Sequence, residues 1–278
     1  MFKSRDLVIA TMHGKESVIT PILEKELGVK CFVVKNLDTD TLGTFTGEMD
    51  RKADPISTAR IKCNMAMEIT NCDLAIASEG SFGAHPGIYF VSADDEFLLF
   101  VDKRNNLEII TREVSTETNF SGSAINNIED LLAFAAKVNF PSHGLILRKS
   151  KDEFIGITKG ITNVELLKKK FQNLINEFGT AYVETDMRAL YNPTRMKIIE
   201  GATKKLANKI NSLCPTCKTP GFGITDAKNG LPCEICNFPT RSTISYFYTC
   251  KKCGYAKEEI YPNGKKKEDP MYCDMCNP

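Results

Sequence analysis

The chain has 278 residues and a formal net charge of +1, with 42% hydrophobic and 26% charged residues. This balance is ordinary for a globular protein and gives no overall electrostatic basis for binding nucleic acid or an acidic membrane. The longest apolar run, residues 131–136, is far shorter than a membrane span, and the first residues lack the apolar core of a signal peptide. We therefore expect a soluble, cytoplasmic protein.

The first part of the chain alternates patterns typical of strands and helices. Asp54 before Pro55 is a favourable helix start, because the aspartate can cap the helix and proline fits its first position. The predicted elements are strands at 6–12 and 31–37, a helix at 17–27 ending at Gly28, a polar turn-rich segment at 38–53, and a helix from 55 to about 71.

The middle of the chain is rich in strand patterns. A buried strand is predicted at 73–78, followed by a glycine-rich loop at 79–87. The later elements are strands at 88–94, 96–104 and 107–114, a helix at about 126–138 capped near Asn126, a hairpin of 145–150 with 154–160, a helix from Thr162 to Gly179, a strand at 180–186 and a helix at 193–212.

This order predicts three regions. An α/β domain with a mixed sheet and flanking helices is expected at 1–191, a connecting helix at 192–212, and a small zinc-ribbon module at 213–278.

Eight of the eleven cysteines lie near the C-terminus as four CxxC pairs. Without a signal peptide, such pairs indicate a bound metal rather than disulfides. Two pairs complete a tetrahedral zinc site, and four thiolates leave no open position for a reacting water, so two structural zinc ions are predicted. The pairs are Cys214 with Cys217, Cys233 with Cys236, Cys250 with Cys253, and Cys273 with Cys276.

Two ways of combining these pairs fit the sequence. In the sequential arrangement the first pair joins the second, and the third joins the fourth. In the interleaved arrangement the first joins the third, and the second joins the fourth. A hairpin of residues 243–248 and 255–262 would favour interleaving, while the spacer lengths are typical of sequential ribbons, so both remain open.

Charge argues against nucleic acid as the partner of this module. From Cys214 onward there are nine Lys and Arg against seven Asp and Glu, and each tetrathiolate zinc site adds about two negative charges. Lys265–Lys267 and the aromatic run 246–248 could contact RNA, but a solvated turn and a strand core are the better interpretations.

Two segments follow predicted strands, where α/β proteins place ligands. At 79–87, Glu79 could hold Mg²⁺ or activate water, Gly80 could let the backbone approach a ligand, and His85 is presented by a stiff turn, although an ordinary surface turn fits equally well.

That second segment, residues 10–16, runs from a strand into a helix. Thr11, His13 and Lys15 could surround an anion with backbone N–H groups and a positive charge. Lys15 could equally be a solvated lysine of the first helical turn.

Three further candidates lie later in the chain. The carboxylates Glu184 and Asp186 lie at the end of a predicted strand and could bind a metal, or carboxylate–arginine pairs with Arg188 and Arg195 could lock the loop. Glu117 lies beyond the longest strand. His143 is one of three histidines, and a single histidine is more often structural than catalytic.

The whole chain resembles a family of uncharacterised bacterial proteins with a zinc-ribbon tail. The stretches that carry this resemblance are ATMHGKE, GTFTGE, ASEGSFGAHPG, STETNF, VETDMRALYNPTR and the CxxC segments. This resemblance implies no known activity.

Residues 6–147 also resemble, more weakly, the inosine-triphosphate pyrophosphatase-like superfamily, whose members cleave purine nucleoside triphosphates with Mg²⁺ and carboxylates. The similar segments are ATMHGK, TARIKC with Ala59 and Lys62, the ASEGSFGAHPG loop with Glu79, and Ser142-His143. His13 and Ser57-Thr58 depart from that superfamily's pattern, as does Gly144 after His143.

Three hypotheses follow from these observations. The first is a Mg²⁺-dependent phosphohydrolase or pyrophosphatase acting on a nucleotide or related phosphate compound. The second is a zinc-ribbon adaptor that binds RNA or a protein, and the third is an inactive relative. In the first, catalysis is assigned to Lys15, Glu79 and Asp186, and substrate binding to Thr11, His13, Gly80, His85, Glu117, His143 and Arg188.

Overall fold

The computed structural model describes residues 1–34 and 54–278, so the prediction for residues 38–53 lies outside the described part. The chain divides into two compact units, Met1–Ala207 and Asn208–Pro278. Among the helices in the described ranges, none combines the length and hydropathy that a membrane span requires.

Five strands form the first sheet, in the order β2-β1-β3-β4-β5. Strand β1 pairs in parallel with both β2 and β3, while β4 pairs antiparallel with both β3 and β5. The predicted mixed sheet is therefore confirmed. The strands are β1 (Asp6–Ala10), β2 (Lys30–Val33), β3 (Leu74–His85), β4 (Ile88–Asp102) and β5 (Leu107–Ser115).

Two helices belong to this sheet, α1 (Glu16–Leu27) and α2 (Pro55–Thr70). Asp54 caps α2 by accepting hydrogen bonds from the backbone N–H groups of its first turn, as predicted. Gly28 ends α1 in the left-handed conformation that glycine adopts without a steric penalty. Small buried residues of α2, Ala59 and Ala66, let this helix pack closely on the sheet.

The glycine-rich segment is the main correction to the predicted elements. Residues 79–85 are not a loop but the second half of β3, which pairs with β4 up to Ala84 opposite Ser92 and, after a register shift, His85 opposite Ile88. The predicted strands 88–94 and 96–104 are likewise one strand, β4. The physical reason is that a continuous antiparallel partner supplies hydrogen bonds to both backbones, which outweighs the low strand propensity of glycine.

A second sheet in the first unit has the antiparallel order β6-β9-β7-β8. Its strands are β6 (Gly122–Ile125), β7 (Leu145–Arg148), β8 (Thr158–Ile161) and β9 (Ala181–Thr185). Pairing of β7 with β8 confirms the predicted hairpin. Helices α3 (Ile128–Lys137) and α4 (Val164–Phe178) pack their buried residues against this sheet.

The caps of these two helices lie one residue beyond the predicted positions. Asn127, rather than Asn126, accepts the capping hydrogen bond of α3, and Asn163, rather than Thr162, caps α4. Asparagine is a strong N-cap because its side-chain oxygen accepts from the first free backbone N–H groups. Helix α5 (Pro193–Asn211) then carries the chain out of the first unit.

The second unit contains a three-stranded antiparallel sheet in the order β10-β11-β12. The strands are β10 (Ile224–Asn229), β11 (Thr243–Thr249) and β12 (Ala256–Ile260). Antiparallel pairing of β11 with β12 confirms the hairpin predicted around the third CxxC pair. The sequence analysis did not predict β10, whose residues are exposed and carry no apolar alternation.

Candidate functional site

The first candidate site lies where β1 and β3 part. The last residue pair of these parallel strands is Ala10 with Ala77, after which β1 turns into the segment 11–15 and β3 continues alongside β4. The carboxyl ends of parallel strands are the usual position of ligands in open α/β sheets. Several buried polar side chains converge here.

Lys15 is the centre of this group. Its side chain lies in the interior, with the residue only 5% exposed, immediately before α1. The ammonium donates hydrogen bonds to the Ser78 carbonyl oxygen at 3.1 Å and to Ser78 Oγ at 2.8 Å. Burial, followed by the positive charge of Arg195, lowers the pKa of Lys15 to about 8. The interpretation of Lys15 as a solvated lysine is therefore wrong.

Glu79 follows Ser78 on β3 and is also buried. Its Oε1 forms an ion pair with Lys62 Nζ of α2 at 2.5 Å. The carboxylate that the sequence offered as a metal ligand or base is thus held by a cation supplied from the helix packed on that part of the sheet. Lys62 lies in the segment that carries the superfamily resemblance, but its ion pair could not be read from the sequence.

Two buried carboxyl groups of β4, Asp94 and Glu96, complete the group and were missed by the sequence analysis. They lie two residues apart, and therefore point to the same face of the strand. Burial, followed by the nearby charge of Glu96, raises the pKa of Asp94 to about 8. Acidic residues spaced by two within an otherwise apolar strand pattern were the available signal.

Arg195 of α5 neutralises Glu96. Its Nε donates to Glu96 Oε1 at 2.5 Å, and its Nη1 donates to the carbonyl oxygen of Met187 at 2.6 Å. Both side chains are fully buried. The guanidinium also lies over the ring of Phe82, 5.1 Å from the centroid. Arg195 therefore ties the start of α5 to β4 of the first sheet.

Gly80 provides the space for this ion pair. It lies opposite Glu96 in the β3–β4 register. A Cβ atom at this position would lie 2.5 Å from Arg195 Nη2 and closer still to Glu96 Oε1. The glycine that the sequence offered as a point of ligand approach thus lies against two buried side chains of the protein itself.

Thr11 and His13 of the segment 11–15 contact each other. Thr11 is buried and its Oγ1 accepts from the backbone N–H of His13 at 3.3 Å. His13 is partly exposed, and Met12 between them is exposed. The segment therefore passes from the interior to the surface and returns at Lys15.

Two other predicted residues lie apart from this group. His85 sits at the β3–β4 turn, where its Nδ1 accepts hydrogen bonds from the backbone N–H groups of Gly87 and Ile88 at 3.0 and 3.1 Å. This contact stabilises the turn. Glu117 is exposed beyond β5.

Asp186 is buried, and its contacts hold the surrounding loop in place. It pairs with Arg188 at 2.6 Å and accepts the backbone N–H of Gly160 at 2.9 Å. The Arg188 guanidinium lies over the Tyr191 ring, 4.6 Å from its centroid. Of the two interpretations of Asp186 and Arg188, this geometry matches the ion pair.

The side chain of His143 lies against the first residues of α5. Its Nε2 accepts the backbone N–H of Thr194 at 3.3 Å, which requires an unprotonated Nε2, and its Nδ1 lies 3.0 Å from Ser142 Oγ. Burial is the largest cause of a lowered pKa at His143. These contacts give the histidine a capping role at the helix start.

The second candidate site consists of two cysteine tetrads in the second unit. One contains Cys214, Cys217, Cys250 and Cys253, and the other Cys233, Cys236, Cys273 and Cys276. Within each tetrad all ligand atoms lie within 4.8 Å of one another, so each can hold a zinc ion. The pairing is interleaved, because the β11–β12 hairpin carries the third CxxC pair at its tip and returns the chain towards the second.

Carboxylates do not form a comparable site. Among residues 1–34 and 54–278, the two cysteine tetrads are the only converging groups of possible metal ligands. Glu79 and Glu96 are each paired with a cation, and Asp186 is paired with Arg188. The residues present therefore do not fit the Mg²⁺ site that the phosphohydrolase hypothesis included.

Two of the residues of the second unit that could contact RNA, Lys265 and Tyr248, have partners within the chain. Lys265 Nζ pairs with Glu268 at 3.2 Å. Tyr248 packs against Phe222, with ring centroids 5.8 Å apart. These contacts match the interpretations of a turn and a strand core.

A family model matches residues 62–278, which is more than half of the chain, and is described as a domain of unknown function, DUF6671. The chain belongs to this family. The match agrees with the expected uncharacterised family and covers both sites except the segment 11–15. It gives no support to the resemblance to the pyrophosphatase-like superfamily, which stays an expectation. No curated protein matches the chain.

Proposed function

We propose that the first unit is a hydrolase for a small phosphate-bearing anion, that it acts at Lys15 and Ser78, and that the two cysteine tetrads of the second unit hold structural zinc. The observation that carries this proposal is the hydrogen bond of 2.8 Å between a buried lysine and a buried serine hydroxyl at the carboxyl end of β1, where β1 and β3 part. Such a pair combines a nucleophile with a base.

The charge balance of the group supports an anionic ligand. Three cations, Lys15, Lys62 and Arg195, face two carboxylates that are already in ion pairs. The third carboxyl group, Asp94, has a pKa raised to about 8 and is therefore mainly neutral at pH 7. Among residues 1–34 and 54–278, this leaves one positive charge in excess in the interior of the first unit, where an uncompensated charge is costly.

The lowered pKa of Lys15 allows its side chain to act as a base. With a pKa of about 8, an appreciable fraction of the amine is neutral near pH 7 and can act as a general base. Ser78 Oγ would attack phosphorus while its proton passes to Lys15 Nζ. The bond from phosphorus to the leaving oxygen breaks, and that oxygen takes the proton from Lys15.

Water then completes the reaction. It attacks the phosphoryl group on Ser78 and gives its proton to Lys15, and the bond to Ser78 Oγ breaks as the serine recovers that proton. Arg195 supplies positive charge beside the developing negative charge. No step is assigned to Mg²⁺, because the carboxylates that would bind it are held by cations. A nucleotide is the substrate that the superfamily resemblance favours.

A substrate panel tests this proposal. The zinc-loaded chain is incubated with nucleoside triphosphates, with and without Mg²⁺, while phosphate and pyrophosphate release are followed. Lys15→Met and Ser78→Ala are expected to lower the rate by about a hundredfold or more. Lys25→Met and Ser92→Ala, which change exposed residues of α1 and β4, should leave it unchanged.

The pH profile provides a second readout. The rate should rise as Lys15 loses its proton and level off above about pH 8. Absence of turnover for every compound, or an unchanged rate in folded Lys15→Met, would contradict the proposal.

A further inference from the structure

The second tetrad is surrounded by large apolar side chains that face solvent. Each lies within two residues of one of the cysteines of this tetrad. We call this set the knuckle patch. Its members are Ile235, Phe238, Met271, Tyr272 and Met275, with exposures between 43% and 72%.

The zinc ligands bring these residues together. Ile235 and Phe238 belong to the second CxxC turn, and Met275 to the fourth, and the cysteine sulfur atoms of these two turns lie within 4.8 Å of one another. Exposed apolar side chains gathered around one site indicate an interaction surface, because the contact of apolar surface with water is unfavourable.

Zinc binding alone does not require these side chains. All four CxxC turns make the same backbone hydrogen bond, in which the residue after the second cysteine donates to the first cysteine's carbonyl oxygen at 2.9 to 3.0 Å. In the first tetrad the residues between the cysteines are Pro215, Thr216, Lys251 and Lys252. At the second position between the cysteines, Thr216 and Lys252 of the first tetrad therefore correspond to Ile235 and Met275 of the second.

Charge at the knuckle patch restricts the partner. Glu234 and Asp274 lie between the cysteines of the second tetrad and are exposed. Asp274 also pairs with Arg241 at 3.2 Å, which offsets its charge. A zinc ion bound by four thiolates nevertheless adds about two negative charges. Lys266 and Lys267 precede Glu268, which lies beside Cys233, so the excess negative charge here comes from the thiolate-bound zinc ion. That excess disfavours nucleic acid and anionic lipid, and it would repel an identical patch on a second copy.

We propose that the knuckle patch docks a protein segment whose apolar face is flanked by lysine and arginine, in the manner of a basic amphipathic helix. The apolar face would cover the exposed rings and aliphatic side chains. The basic residues would approach Glu234 and Asp274. Met271 and Met275 suit this role, because unbranched methionine side chains adapt to the shape of a partner.

The experiment uses the full zinc-loaded chain and a synthetic helical peptide with leucine on one face and lysine on the other. Binding is measured by fluorescence anisotropy. The double variant Ile235→Ser with Met275→Ser should bind about tenfold more weakly or worse, since central apolar residues dominate such interfaces. Its matched control, Thr216→Ser with Lys252→Ser, changes the equivalent turn positions of the first tetrad and should bind as the original chain does.

Further measurements distinguish the proposed basic protein segment from other partners of the knuckle patch. Native mass spectrometry must show two zinc ions in both double variants, which keeps loss of the fold separate from loss of the patch. A peptide with glutamate in place of lysine should bind at least about tenfold more weakly. Equal peptide binding by both double variants, binding to anionic vesicles that needs the patch, or a dimer that the patch variant converts to monomer would overturn the proposal.

Discussion

Arg195 of α5 and Glu96 of β4 form a fully buried ion pair of 2.5 Å between residues 99 positions apart in the chain. A buried ion pair stabilises a fold only weakly, because both charges lose their hydration. Loss of either partner is nevertheless costly, because the other charge is left buried alone. The pair thus makes the start of α5 dependent on the first sheet.

Removal of one partner should be strongly destabilising. Arg195→Met is expected to lower the free energy of unfolding by about 3–5 kcal/mol, because it leaves Glu96 buried without its cation. Arg112→Met breaks the more exposed ion pair with Asp95 and should cost no more than about 1 kcal/mol. Urea denaturation of the three proteins provides the comparison, and equal losses in the two variants would contradict this account of the pair.

Gly80 should tolerate no side chain. Gly80→Ala places a methyl group against Arg195 and Glu96 and should destabilise the protein by roughly 1–3 kcal/mol, as other overpacked interiors do. Gly83→Ala is the control on the same strand, because no atom of the described residues lies within 4 Å of a Cβ there. Thermal unfolding should show a lower Tm for the first variant only. If both variants unfold at the same temperature as the original chain, the close contact is misassigned.

His143 should make stability depend on pH. The folded protein holds it neutral with a lowered pKa, while the unfolded chain takes up a proton near pH 6.5. The unfolded state therefore binds more protons between these two pKa values, and stability falls as the pH drops below about 6.5. The difference in unfolding free energy between the original chain and His143→Asn should shrink from pH 7.5 to pH 5.5. A constant difference would show that the ring does not titrate as the capping contact requires.

Zinc stoichiometry should report the interleaved pairing. Cys217→Ser with Cys250→Ser removes two ligands of one tetrad and should leave one zinc ion per chain. Cys217→Ser with Cys233→Ser affects both tetrads and should leave none. Native mass spectrometry distinguishes these results. In the sequential pairing the first double variant would affect both zinc sites and the second only one. Counts of no zinc in the first variant and one zinc ion in the second would therefore exclude the interleaved pairing.

The elements that the sequence predicted well depend on local signals. Asp54 and Pro55 start α2 because capping and the fixed φ of proline act within one helical turn. The segment 79–87 was predicted wrongly, because whether glycines lie in a loop or a strand depends on the partner that β4 provides. Lys15 was identified from its position after β1, while its partner Ser78 was not.

The sequence by itself determined the cysteine ligands at this protein's C-terminus, because a CxxC turn needs only its own four residues to place two thiolates. The tertiary structure alone decided which turns share a zinc site, since that depends on how β11 and β12 pair. It also decided which charged residues meet, as Glu96 with Arg195 and Glu79 with Lys62. Ion pairs and metal sites join residues far apart in the chain, and only packing brings their atoms within bonding distance.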